Sequence, residues 1–201
     1  PCYKKGGEQC FAKDGENKFH AVFDIGPCVI VHPSNLAPAL MVCDAVLHVV
    51  GGERQTIPLA EFFHTPFEGI GSENVLAPGE IITHITFEPR PQSAFQAVKE
   101  KQSFDWPLVM AAVALEMSGD KIDEAHVCVG AVSPVPRPLP DVARALTRVT
   151  LDDRAALRRA CARSTRKASP LSQNEYKLAL LPVVVRRAVL RAAGRAEEVN
   201  A

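Results

Sequence analysis

The stretch LVMAAVALEMSGDKIDEAHVCVGAV limits the possible folds of this chain more than any other. Two segments of strand length flank Ser-Gly-Asp-Lys, residue types that favour a tight turn. An antiparallel hairpin is therefore predicted at 108–132. The preceding SAFQAVKEK reads as a third strand, and Pro89 to Gln92 ahead of it as a stiff connector, because each proline fixes φ and removes a donor. A boundary is placed there, giving units 1–90 and 91–201. SPVPRPLP ends the sheet, and the remainder reads as helix. Asp152 and Asp153 suit a helix start. The last helix is predicted to begin at an Asn174 N-cap, to carry Leu178, Leu181, Val185 and Ala188 as its apolar stripe, to kink at Pro182 and to end at Gly194. The predicted class is α+β, with a three-stranded antiparallel sheet and helices packed on one side.

The first thirty residues are weakly patterned and read as loop, closing in a short strand at CVIV. Ser34 is a plausible N-cap for a following helix, with Leu36, Ala39, Leu40 and Cys43 on one face. AVLHVV and RQTIPL, joined by GGE, read as a hairpin. LAEFF is a helical turn, and EIITHITFE alternates as a strand. There is no internal repeat.

The balance of charge restricts function. With 23 Lys and Arg against 23 Asp and Glu, the chain has no bulk attraction for nucleic acid or a membrane surface. No apolar run approaches the roughly 18 residues that span a bilayer, and no secretory leader is visible. The first residue is Pro1, so a processed or truncated start is expected. The six cysteines are scattered, several in apolar surroundings, which points to a reducing, cytoplasmic setting.

No dinucleotide fingerprint, P-loop, nucleophile elbow or zinc-protease motif occurs, and the six histidines do not pair at ligand spacing. Cys2, Cys10 and Cys28 form a loose C-x7-C-x17-C set. Lys4 and Lys5 beside them would favour thiolates and offset the charge of a cluster. Three readings stay open for these thiols: a metal or iron–sulfur site, a disulfide, and incidental residues of a loop.

Several stretches taken in order carry a resemblance. They are CYKKGGEQCFAKDGENKFHAVFDIGPCVIVHPSNLAPAL, RQTIPLAEFF, ENVLAPGEIITHITF, SFDWPLVMAAVALEM, CVGAVSPVPRPLP and NEYKLALLPVVVRRAVLRA. Together they resemble the FAD-binding flavoprotein subunits of molybdenum hydroxylases, the xanthine dehydrogenase, aldehyde oxidoreductase and carbon monoxide dehydrogenase type. The resemblance implies that 1–90 is the end of the second α/β FAD subdomain with a cysteine-bearing loop, and that 91–201 is the C-terminal domain of sheet plus helical bundle. The family's first subdomain and the Gly-rich segment that carries most donors to the FAD pyrophosphate are not within these 201 residues.

The resemblance also assigns roles. Ser34 and Asn35 would lie near the ribityl chain of FAD, with Asn35 where the family has Asp, and Ile82 would cover the flavin ring. A family lysine near the flavin is replaced by Ala97, with Lys99 on the same strand face. Some members hold a 4Fe-4S cluster in this loop, which would use Cys2, Cys10 and Cys28. No side chain is assigned as catalytic. The implied partners are a molybdopterin-binding large subunit and a 2Fe-2S small subunit, and the implied function is electron transfer through FAD to NAD+ or another acceptor. The alternatives are a degenerate subunit that binds no FAD and acts structurally, and a stand-alone iron–sulfur or redox thiol module.

Overall fold

The computed structural model describes residues 1–101 and 104–195, and its first helix is the single turn α1 (Phe11–Asp14). Ser103 of the SFDWPLV stretch and the end of the 91–201 unit lie outside them. Strands β1 (Val46–Val50), β2 (Thr56–Pro58) and β3 (Ile81–Thr86) form a small antiparallel sheet in the order β2-β1-β3. Strands β4 (Ser93–Lys99), β5 (Pro107–Ser118), β6 (Lys121–Gly130) and β7 (Arg137–Pro138) form the larger one, in chain order and antiparallel throughout.

The larger sheet is the predicted three-stranded sheet with one addition. Arg137 and Pro138, inside the stretch expected to end the sheet, pair with Val129 and Cys128. A two-residue strand leaves no periodic signal, and an edge position tolerates the missing N–H of proline.

The apolar run of β5 is nearly continuous because both of its faces are covered. Val109, Ala111, Val113 and Leu115 join the main core with Leu181, Val184, Val185 and Ala188 of α5 (Tyr176–Ala192). Helices α3 (Pro140–Leu146) and α4 (Arg154–Ala162) complete that layer, burying Val142, Leu146 and Leu157. Asp153 caps α4 by accepting from the Ala156 N–H at 2.8 Å. Helix α5 continues through Pro182 to Ala192 and ends at Gly194, whose φ is 74°.

On the opposite face of the sheet, Ala112, Ala114 and Cys128 pack with Val42, at the end of α2 (Leu36–Met41). The small residues let this helix approach closely. A Cβ at Gly130 would collide with Met110 and touch Pro38 of α2. Arg90, in the proline-rich connector, bridges the two halves. It reaches Asp44 at 2.6 Å and Glu116 at 3.5 Å.

Three local expectations change. CVIV is extended but is not a ladder strand, since only isolated backbone bonds hold it: Ala21 N–H to Val29 O at 3.0 Å and His32 N–H to Ser133 O at 2.9 Å. Leu36 is exposed and α2 buries Ala37, Pro38 and Leu40 instead, because the larger sheet meets the helix from the Pro38 side. Asn174 does not cap α5 with its side chain. Its Oδ1 accepts from Leu171, and its Nδ2 donates to His20 and Ala21 carbonyls. Lys177, one residue before the predicted stripe position Leu178 and four before Leu181, is also buried on α5.

Candidate functional site

A cavity of about 550 Å³ opens where the entry loop meets the larger sheet, a size typical of sites for small organic ligands. Phe19 and His20, Ile30 to Pro33, Glu73, Glu100, the 105–108 segment and Pro134 line it. Its walls are mainly apolar and aromatic. Trp106 is 71% exposed there, so its ring is open to contact with a ligand in the cavity.

The charged groups on the wall are acidic. Glu73 is paired by Lys4, and Glu100 by Lys18 at 2.6 Å. The oxygens of Asp105 accept the Lys101 and Trp106 N–H groups. Among the described residues, no Lys or Arg lines the cavity. This chemistry fits a planar, largely uncharged aromatic ring. It does not fit a pyrophosphate, which needs clustered N–H groups or cations.

The wall is held rigidly from below. Lys177, 1% exposed, donates from Nζ to the carbonyls of Phe19 (2.9 Å), His20 (2.9 Å) and Ala131 (2.7 Å). Asn174 adds bonds to His20 O and Ala21 O, and Tyr176 Oη donates to Lys18 O at 3.0 Å. Asn17, fully buried, binds back to 172–173, and its carbonyl accepts the His20 N–H. Helix α5 therefore fixes the backbone of 17–21. Burial pushes the Lys177 ammonium down to about 7. His20 is lowered by burial and then by the Lys177 charge, and His32 by burial.

The predicted site residues are only partly gathered. Ser34 and Asn35 directly follow Pro33 of the cavity wall. Ser34 Oγ accepts the Ala37 N–H at 3.1 Å, so it caps α2 as anticipated, while Asn35 is exposed and makes no capping bond. Ser34→Ala is expected to cost about 1 kcal/mol, read as a small drop in the urea midpoint. Ile82 lies on β3, packed against the core of the smaller sheet, and is not on the cavity wall. Ala97 pairs with Met110 within the larger sheet. His20, His32, Asp105 and Trp106 were missed as site residues. The sole tryptophan, in a loop just before a strand, was the one available signal.

All six cysteines are free. Cys2 and Cys10 flank a loop closed by the Tyr3 N–H to Gln9 O bond, and Cys28 lines a crevice with Lys4 of that loop and His64. Among the described residues, no group of three or more His, Cys, Asp or Glu is placed to hold a metal ion. A four-iron cluster takes four ligands, normally thiolates, of which Cys2, Cys10 and Cys28 would supply three.

Comparison with known proteins agrees with this architecture. Residues 93–192 match the CO dehydrogenase flavoprotein C-terminal domain, which gives the class of the larger sheet and its helices. The chain is 31% identical over 142 residues to the aldehyde oxidoreductase FAD-binding subunit PaoB of Escherichia coli (strain K12), covering 68% of this chain and 43% of that protein. It is 31% identical over 173 residues to the carbon monoxide dehydrogenase medium chain of Afipia carboxidovorans, covering 82% and 58%. The fold also matches reconstituted CO dehydrogenase from Oligotropha carboxidovorans, with TM-score 0.66, 25% identity and coverage of 80% and 57%. Quinoline 2-oxidoreductase from Pseudomonas putida 86 shares the fold, with TM-score 0.69, 17% identity and coverage of 90% and 60%. The chain belongs to the family of FAD-binding subunits of molybdenum hydroxylases. It spans about half the length of the curated relatives it matches.

Proposed function

We propose that this chain supplies the ring-binding half of a flavin site in a molybdenum hydroxylase of the xanthine dehydrogenase type. The observation that carries this reading is the aromatic cavity with Trp106 at its mouth and no cation on its wall. Ser34 and Asn35 then lie toward the ribityl chain, where Asn35 can donate to and accept from hydroxyls. Ile82 takes part only through the smaller sheet that backs α2. The pyrophosphate is held by donors other than those on this wall. Units 1–90 and 91–201 serve respectively as the end of an FAD subdomain and the C-terminal domain, with the cavity between them.

When bound, the flavin supplies the redox chemistry. The chain's own residues hold the ring, exclude water from it and fix its polar edge, and no side chain acts as a general acid or base. In the complex the chain would pass electrons from a 2Fe-2S small subunit, itself served by a molybdopterin large subunit, to NAD+ or another acceptor. The free thiols support a reducing compartment, and we place the protein in the cytoplasm. No described helix is long and apolar enough to cross a membrane.

The reading is tested by dialysing the purified chain against riboflavin and recording its visible spectrum. Retained flavin bands, red-shifted and structured by an apolar site, are expected. A spectrum identical to that of the dialysis buffer would favour the alternative, a structural subunit without flavin.

A further inference from the structure

His20 and His32 face the same cavity from two different chain segments. In each, Nδ1 is buried without a hydrogen-bond partner. Both side chains line the cavity, which leaves Nε2 as the ring nitrogen available to it. A neutral imidazole carries one N–H. A proton on Nδ1 would bury an unsatisfied donor, whereas on Nε2 it meets solvent or ligand. A second proton would also bury an unpaired, charged N–H, which is more costly still. The unpaired, buried Nδ1 and the lowering of both groups by burial each favour the neutral ring with its proton on Nε2.

The backbone fixes the two rings in one frame. The Lys177 ammonium joins His20 O to Ala131 O, while the His32 N–H donates to Ser133 O at 2.9 Å and Ala131 N–H donates to His32 O at 3.3 Å. Val22 and Phe23 N–H groups both bind Val132 O. Segments 19–23, 29–32 and 131–134 are thus tied together at the cavity edge. The edge of His32 also packs against Phe63, with ring centroids 4.7 Å apart.

We infer that His20 and His32 are a matched pair of uncharged N–H donors that hold the acceptor edge of a flavin ring, its carbonyl and imine nitrogen atoms, in this cavity. The inference rests on the flavin reading given above. Uncharged donors suit this wall, where Glu73 and Glu100 are already paired by Lys4 and Lys18. They grip a polar edge without placing a cation beside the ring.

Riboflavin, which lacks phosphates, is the probe, and binding to the whole 201-residue chain is read as quenching of flavin fluorescence at neutral pH. His20→Leu and His32→Leu are each expected to weaken binding about five- to tenfold, the loss of one neutral hydrogen bond. His20→Gln and His32→Gln, which restore a side-chain N–H, are expected to recover most of it. Unchanged thermal midpoints show that the variants are folded. A long-range proton–nitrogen NMR spectrum should show both rings as Nε2–H tautomers whose signals move when riboflavin is added. Riboflavin bound equally by wild type and both leucine variants, or Nδ1–H tautomers, would overturn the inference and leave the flavin reading intact. A wild-type chain that binds no riboflavin would overturn the flavin reading and the inference together.

Discussion

Lys177→Met is expected to lower the unfolding free energy by about 3 kcal/mol at neutral pH. The methionine keeps the apolar stem but removes the donor shared by Phe19, His20 and Ala131. His20 O retains Asn174, so the carbonyls of Phe19 and Ala131 lose the donor, each at roughly 1–3 kcal/mol. Relief from burying a cation offsets part of that loss. The effect should depend on pH. The folded Lys177 titrates near 7, below its ordinary 10.5, so between these values the unfolded chain binds more protons. Burial of the charged form is a full cost below pH 7. That cost fades as pH rises, and wild-type stability grows relative to the variant by about 1.4 kcal/mol per pH unit within the window. Urea unfolding at neutral and alkaline pH measures this. A wild-type-to-variant gap that stays constant or narrows with rising pH would contradict a buried, depressed Lys177.

Phe23→Ala is expected to cost about 3–5 kcal/mol. Phe23 is 1% exposed, belongs to the main core, and lies beneath the Arg137 guanidinium, 4.7 Å from its ring centroid. Its N–H binds Val132 O. The ring therefore anchors the loop 17–23 to the sheet, and its loss leaves a cavity that rigid strands and α5 cannot close. Phe11→Ala, at a ring 59% exposed, is the contrast and should change stability by no more than about 0.5 kcal/mol. Equal urea midpoints for the two variants would show that Phe23 is not a core anchor.

These two residues mark where sequence reasoning stopped. The β5–β6 hairpin was legible because its strands are long and its turn carries Gly119 and Asp120 at the right place. Helix α5 was legible from its stripe and from Gly194. Lys177 stands four residues before Leu181 and so lies on that stripe. A charged residue at a stripe position signals either an error of register or a buried cation with dedicated acceptors, and here it is the second. Asn174 matched a capping pattern, yet its amide is spent on the 20–21 carbonyls, which only the tertiary fold brings near. The cavity was illegible for the same reason. Its wall is drawn from six separated stretches, and no local period records that they meet. Ser34 and Asn35 were found through family resemblance and do adjoin the wall. The thiol spacing of Cys2, Cys10 and Cys28 was loose from the start, and only the tertiary fold brings Cys28 into a crevice shared with Lys4 of the Cys2–Cys10 loop.

Trp106 offers the most direct measurement of the central claim, because it is the only tryptophan in the chain and sits on the cavity wall. Titration of the 201-residue protein with riboflavin should quench its fluorescence in a saturable way, with the emission shifting to the blue as a flat ring covers the exposed indole. Emission that falls only linearly with added riboflavin, as for free tryptophan in the same solution, would contradict a flavin ring in this cavity.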